Sequence, residues 1–299
     1  MVNALDPGAK TAPNAAPRIR CRMINEADAA PLAKLLTRGF PDRTVDYWRR
    51  ALETLAKRDA PEGYPRFGYL LENAGAPVGV ILMIFTRLGE GRVRCNISSW
   101  YVDEAYRGYA SLLIAAAVRH KDVTYVNISP ANHTWSVIEA QGFRRYCEGQ
   151  MLVVPALSRW APKARARAFD KKRDYGEALS AQERDLLVSH VEHGCLAFIV
   201  HEKREAHPFV FLPRRVLKNL VPTLQLVYCR DLTDFQRFAG PLGRELLRHG
   251  HPSVLIDASE SIPGVVGLYM RNRGPKYFKG PERPRLGDLA FSESVLFGP

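Results

Sequence analysis

In the stretch WYVDEAYRGYASLL, residues 100–113, a glycine and two small residues stand where a β-rich run hands over to an apolar, helix-like run. Gly108, Ala110 and Ser111 are small enough for backbone N–H groups to face outward without a bulky side chain in the way. The first-turn donors of a helix have no intrahelical partner, and the helix dipole is positive there, so such a turn can hold a pyrophosphate. Arg107 adds a positive charge beside it. Packing alone also puts glycine in strand-to-helix turns, so the local pattern leaves packing and anion binding both open. No G-x-S-x-G elbow is present and Cys147 falls in an expected strand, so a covalent nucleophile is not expected. The five cysteines, Cys21, Cys95, Cys147, Cys195 and Cys229, are scattered singly with no C-x-x-C pair. They read as reduced, buried thiols, with no metal site assigned.

The elements that must position these residues follow from hydrophobic period. Ile19 to Ile24 starts a strand, and Asn25 caps a helix through NEADAAPLAKLLTRGF. VDYWRRALETLAKR is a second helix. FGYLLENAGAPVGVILMIFTRL folds back at Asn73–Pro77 as a hairpin. Val93, Cys95 and Ile97 alternate with Arg94, Asn96 and Ser98 as a further strand, and Tyr109 to His120 is a helix. VTYVNIS is a central strand, Ser129-Pro130 opens a helix that stops at Gly142, and Phe143 to Val154 supplies strand material. This order predicts a mixed α/β layer. The pattern then recurs: the hairpin, strand, helix and strand of residues 67–128 have counterparts in 195–258, which predicts two similar domains in tandem.

Length and composition agree with two modest domains: 299 residues, 46% of them hydrophobic. The longest strongly apolar stretch, Val78 to Phe85, has eight residues, against roughly 20 for a bilayer span. Residues 1–17 hold three prolines and no apolar core and read as a disordered leader, not a secretory signal. A formal charge of +12 favours anionic partners. Part of it is local, with seven basic against three acidic residues between Ala156 and Glu177, read as a solvated linker rather than a nucleic-acid patch.

Residues Ile19 to Val154 resemble the GNAT acyltransferase superfamily, which binds acyl-coenzyme A. The shared features are the order of elements and the loop between the fourth strand and third helix, whose pattern Q/R-x-x-G-x-G/A is met at its end by Gly108-Tyr109-Ala110. Gly142-Phe143 also matches the family's Gly-Phe helix end. The resemblance implies a GNAT-like central mixed sheet flanked by helices. It implies that backbone amides of Tyr106, Arg107, Gly108, Tyr109, Ala110 and Ser111 hold the pyrophosphate, that Tyr101 and Val102 pair with the pantetheine arm, and that Asn132 opens the next helix near the cofactor. Three positions depart from the family. Ala105 stands at the loop's Q/R position, Ile138 where a tyrosine general acid is usual, and Asn132 lies one residue late. His133 and Tyr146 are the nearest replacements by sequence for that tyrosine, and each also has a plainer reading, a capping or surface histidine and a strand tyrosine packed on its neighbours. Asn96, Ser98 and Ser99 line the fourth strand, and none is a good base.

The domain reading is therefore a leader at 1–17, an acyl-CoA-binding domain at 18–155, a basic linker at 156–177 and a degenerate GNAT-like domain at 178–299. The last lacks the loop, because Gly240-Pro241-Leu242-Gly243 falls inside its helix and the proline removes an amide donor. The function expected is a cytoplasmic acyltransferase moving an acyl group from acetyl-CoA or another acyl-CoA to a small-molecule or protein amine or hydroxyl by direct attack in a ternary complex. The alternatives are a non-catalytic acyl-CoA-binding module and a tandem GNAT protein with an RNA partner or aminoacyl-tRNA donor.

Overall fold

A computed structural model describes residues 18–158, 161, 163–216 and 221–298; the expected leader at 1–17 lies outside the described residues. In chain order the strands are β1 Ile19–Met23, β2 Gly68–Asn73, β3 Ala76–Arg87, β4 Val93–Val102, β5 Thr124–Asn127, β6 Arg144–Val153, β7 Arg165–Ala168, β8 Leu196–Glu202, β9 Glu205–Val216, β10 Val221–Cys229, β11 Val254–Ala258 and β12 Gly267–Lys279. The helices are α1 Ala29–Gly39, α2 Val45–Lys57, α3 Ala110–Ala117, α4 Trp135–Ala140, α5 Ala181–Glu192, α6 Leu232–Arg248 and α7 Glu293–Leu296.

All twelve strands form one sheet in the order β1-β2-β3-β4-β5-β12-β6-β11-β10-β9-β8-β7. Among the described strands, only β4–β5 and β10–β11 pair in parallel. The two halves exchange strands at the centre: β12, late in the chain, lies beside β5, and β6 lies beside β11. The segment 156–177 contributes β7, which pairs with β8 at the far edge.

Helical period decides which faces are covered. Trp48, Ala51, Leu52 and Leu55 of α2 recur at three- and four-residue steps and pack with Leu32, Leu35 and Leu36 of α1 on Val80, Leu82 and Ile84 of β3. Ile81, Met83 and Phe85 point to the opposite face, where Leu113 and Ala117 of α3 cover them. In the second half α6 lays Phe235, Phe238, Ala239, Leu242 and Leu246 over Phe198 and Val200 of β8.

Two expectations change. The helix expected over Tyr109–His120 is α3, eight residues long, preceded by a 3₁₀ segment over Glu104–Tyr109. Ser129-Pro130 does not open the next helix; a 3₁₀ turn starts at Asn132 with Ala131 before it, and the Ser129 hydroxyl bonds Glu293 instead. β4, expected as a strand, is buried on both faces over Val93 to Ser98, between helices and the C-terminal segment. β12 and α7 have no counterpart in the sequence reading.

Candidate functional site

β4 and β5 run together for three residue pairs, Arg94↔Thr124, Cys95↔Tyr125 and Asn96↔Val126, and then part. Asn96 sits at the fork, its side-chain amide donating to Ile97 O at 3.0 Å and Val126 O at 3.4 Å. Past it, no described strand pairs with the β5-facing edge of β4. Extended backbone whose donors and acceptors have lost their ladder is a binding edge.

Just beyond the fork β4 bulges. The register with β3 slips between Val80 and Leu82, and Ser99 takes φ 47° in mid-strand, a conformation costly to a residue with a Cβ. Strain of that kind gathers at functional sites, where surrounding structure holds it in place. Trp100 beside it has an indole N–H that is buried and without a hydrogen-bond partner among the described residues. Tyr101 and Val102 continue the edge, and the 3₁₀ segment follows.

Gly108 in that segment has no left-handed φ, and a Cβ placed on it would meet nothing within 4 Å. Internal packing therefore does not require a glycine there. The first turn of α3 has no side-chain cap and no acidic residue, unlike α2, α5 and α6, each of which is capped by a side chain. Expected donors are used inside the turn, Tyr106 N–H on Asp103 O at 2.9 Å and Ala110 N–H on Arg107 O among them. Bonds of the 3₁₀ type have poorer geometry than α-helical ones and are exchanged at low cost.

The C-terminal segment reaches this fork. Glu293, the first residue of α7, donates its backbone N–H to Asn96 Oδ1 at 2.8 Å. Its carboxyl accepts from the Ser129 hydroxyl, and Oε2 is buried with no hydrogen-bond partner among the described residues. Burial pushes the Glu293 pKa up, against the Ser129 and Ser98 hydroxyls and the charges of Lys276 and Arg214, which draw it down. Ser98 faces this carboxyl loosely and meets Ser99 Oγ at 2.9 Å.

The matching place in the second half is filled. β10 and β11 pair only at Leu224↔Val254 and Gln225↔Leu255 before they part. Residues 287–289 occupy that gap, with Leu289 N–H on Val227 O at 2.7 Å and Cys229 N–H on Gly287 O at 3.0 Å. Gly287 is required there, at φ 79° with Cys229 Sγ 2.7 Å from where a Cβ would stand. The start of α6 carries its own anion, since Asp231 accepts from Thr233 N–H at 2.7 Å. Pro241 is buried in mid-helix, as expected.

The candidate residues do not all converge. Tyr101, Val102 and Tyr106 to Ser111 form one continuous edge and turn. Asn132 and His133 lie on an exposed turn, and no described contact joins them to the fork. Tyr146 is in the core against Phe278, and burial raises its pKa well above the usual phenol value. Ile138 is a core residue. Two cavities, of about 520 and 920 Å³, are lined by none of residues 97–111; the second holds Arg43, Arg214, Arg215 and His251. Among the described residues no three His, Cys, Asp or Glu side chains group as a metal site. Glu293 escaped the sequence reading because FSESVL has no motif, and only the fold carries it to β4.

No family model matches the chain. No curated protein matches it either. Solved structures do. A GCN5-related N-acetyltransferase from Anabaena variabilis superposes with a TM-score of 0.58 at 12% identity, over 88% of this chain and 72% of that one. A GCN5-related N-acetyltransferase from Kribbella flavida gives 0.54 at 14% identity, over 88% and 71%. At these identities the likeness is one of fold.

Proposed function

We propose that this chain, which has the fold of the GCN5-related N-acetyltransferases, is an acyl-CoA-dependent acyltransferase whose first half binds the donor. The observation that carries this reading is the open fork of β4 and β5, bulged at Ser99 and leading directly into the uncapped start of α3. In this reading the pyrophosphate lies on the Tyr106–Ser111 turn beside Arg107, and the pantetheine arm pairs with the β4 edge at Tyr101 and Val102. A backbone N–H released by the bulge is available to polarise the thioester carbonyl. The acceptor's lone pair attacks the carbonyl carbon, the C–S bond breaks, and coenzyme A leaves as a thiolate. That leaving group is competent near neutral pH, so an Ile138 in place of a tyrosine slows the step without forbidding it.

The second half is assigned no coenzyme A. Its fork is closed by residues 287–289, and Asp231 holds the helix start where a phosphate would sit. Acetyl-CoA is the donor we favour, with an amine or hydroxyl on a small molecule or protein as acceptor. The five free cysteines, four of them buried, support a reducing compartment such as the cytoplasm.

The test is ligand-linked stability. Acetyl-CoA at 100 times its Kd should stabilise the protein by about 2.7 kcal/mol. No shift in melting temperature at millimolar acetyl-CoA overturns the assignment. Release of free thiol with a panel of amines separates an enzyme from a module that only binds the donor.

A further inference from the structure

Of the buried polar groups outside the donor edge, the carboxyl at the start of α7 has the least ordinary surroundings. Glu293 comes from the last turn of the chain and stands at the fork of β4 and β5, 197 residues away in sequence from the Asn96 that receives its N–H. One carboxyl oxygen is partnered by Ser129, whereas Oε2 is sealed from solvent and has no partner among the described residues. An orphaned carboxyl oxygen forfeits hydrogen bonds it had in water, so its retention there calls for a role. A line of hydroxyls leads outward from it. Ser98 faces the carboxyl and lies 2.9 Å from Ser99 Oγ, and Ser99 is the strained, half-buried residue of the bulge.

We propose that Glu293 is the terminal proton acceptor of the transfer reaction, reached from the acceptor nucleophile through the Ser99 and Ser98 hydroxyls. This rests on the acyltransferase reading above. As the nucleophile's N–C bond forms and the thioester C–S bond breaks, the nucleophile's proton passes to Ser99 Oγ. Ser99 hands its own proton to Ser98 Oγ, Ser98 hands one to Glu293, and the electron pair of the C–S bond leaves on the thiolate. Both serines end neutral, and one proton has moved to the carboxylate. Among the described residues, the charged and titratable groups that act on Glu293 are Lys276 on β12, itself paired with Asp257 of β11 at 3.1 Å, Arg214 on β9 and Tyr47 on α2. The two cations keep the carboxyl able to ionise in its buried setting, and burial makes it a stronger base than an exposed carboxylate. The half that binds no donor thus supplies the base to the half that does.

The experiment uses the full chain, acetyl-CoA, and hydroxylamine as a nucleophile too small to need an acceptor pocket. Wild type, Glu293→Gln and Ser98→Ala are compared for acetyl-CoA affinity by calorimetry, for melting temperature, and for coenzyme A release above the solution background across pH. The expected result for Glu293→Gln is unchanged acetyl-CoA affinity and a loss of kcat of about 100-fold or more. Its kcat should also lose the acidic limb that wild type shows. Ser98→Ala should lose less and keep that limb, and Ser98→Thr should recover most of the rate. Glu293→Gln that turns over within threefold of wild type with the same pH profile overturns the proposal, as does a wild type that binds acetyl-CoA without accelerating release. Failure of wild type to bind acetyl-CoA would instead refute the acyltransferase reading itself.

Discussion

Ala110 and Glu293 make opposite demands on charge at the two ends of the β4 edge. Ala110 is half-buried at the first position of α3, where an added carboxylate would face the expected pyrophosphate. Ala110→Asp should lower acetyl-CoA affinity at least about 100-fold while leaving the melting temperature nearly unchanged, since an acidic residue in a first helical turn is itself favourable. Calorimetry with acetyl-CoA checks the first part, and unaltered binding would show that the turn is assigned to the wrong residues. At Glu293 burial penalises the ionised form. That penalty is absent at pH below the ordinary carboxylate pKa, grows as pH rises, and is complete above the raised folded value. Glu293→Gln should therefore gain stability over wild type at about pH 8 and lose that advantage near about pH 4, read from denaturant midpoints. The donor turn was legible in sequence, because small residues between a strand and a helix form a local pattern. The carboxyl was not, because its meaning lies in a contact made across nearly the whole chain.

The C-terminal segment, residues 287–298, joins the two halves through elements of both. Arg94 of β4 pairs with Asp288 at 3.1 Å and donates to Ala290 O at 2.8 Å. Burial alone would raise the Asp288 pKa, but Arg94 and Arg285 more than offset it and hold the carboxyl below its usual range. His190 of α5 accepts the Phe291 N–H on Nε2 at 3.1 Å and meets Leu186 O through Nδ1 at 2.7 Å, so it must stay neutral to serve both. Burial first, and the nearby His193, bring its pKa down to about 4. Its contribution is thus fully present above the ordinary histidine pKa and falls as pH drops toward about 4, the unfolded state taking up a proton that the folded state refuses. Exchange of the Phe291 amide should quicken across that window, and His190→Gln should remove most of this dependence. Helices α1, α2 and α6 could be read from their period because each covers a sheet face with an apolar stripe. β12 could not: RNRGPK in its middle reads as a loop, and Asn272 and Gly274 there do adopt positive φ, at 59° each.

Across the whole molecule the repeat of hairpin, strand, helix and strand was visible in the sequence, but the exchange of β6 and β12 was not. Strand order depends on which edges find each other over long separations, and the apolar pattern of β6 suits either β5 or β11 as neighbour. The exchange has a mechanical consequence for the domain division at 155, which we retain as a proposal. A fragment of residues 18–155 would keep the donor turn but lose β12 from the edge of β5 and β11 from the edge of β6, as well as Glu293 from the fork. Exposed central strands of that kind pair with other copies instead of standing in water. The fragment should therefore aggregate or melt without cooperativity and bind acetyl-CoA poorly, whereas co-expression with residues 156–299 should restore a one-to-one complex with a cooperative transition. A monomeric fragment 18–155 with a sharp melt would mean that β5 and β6 can close on each other, and that the exchange is a choice the full chain makes and not a condition of folding. In that case the same fragment, lacking Glu293, should bind acetyl-CoA without turning it over.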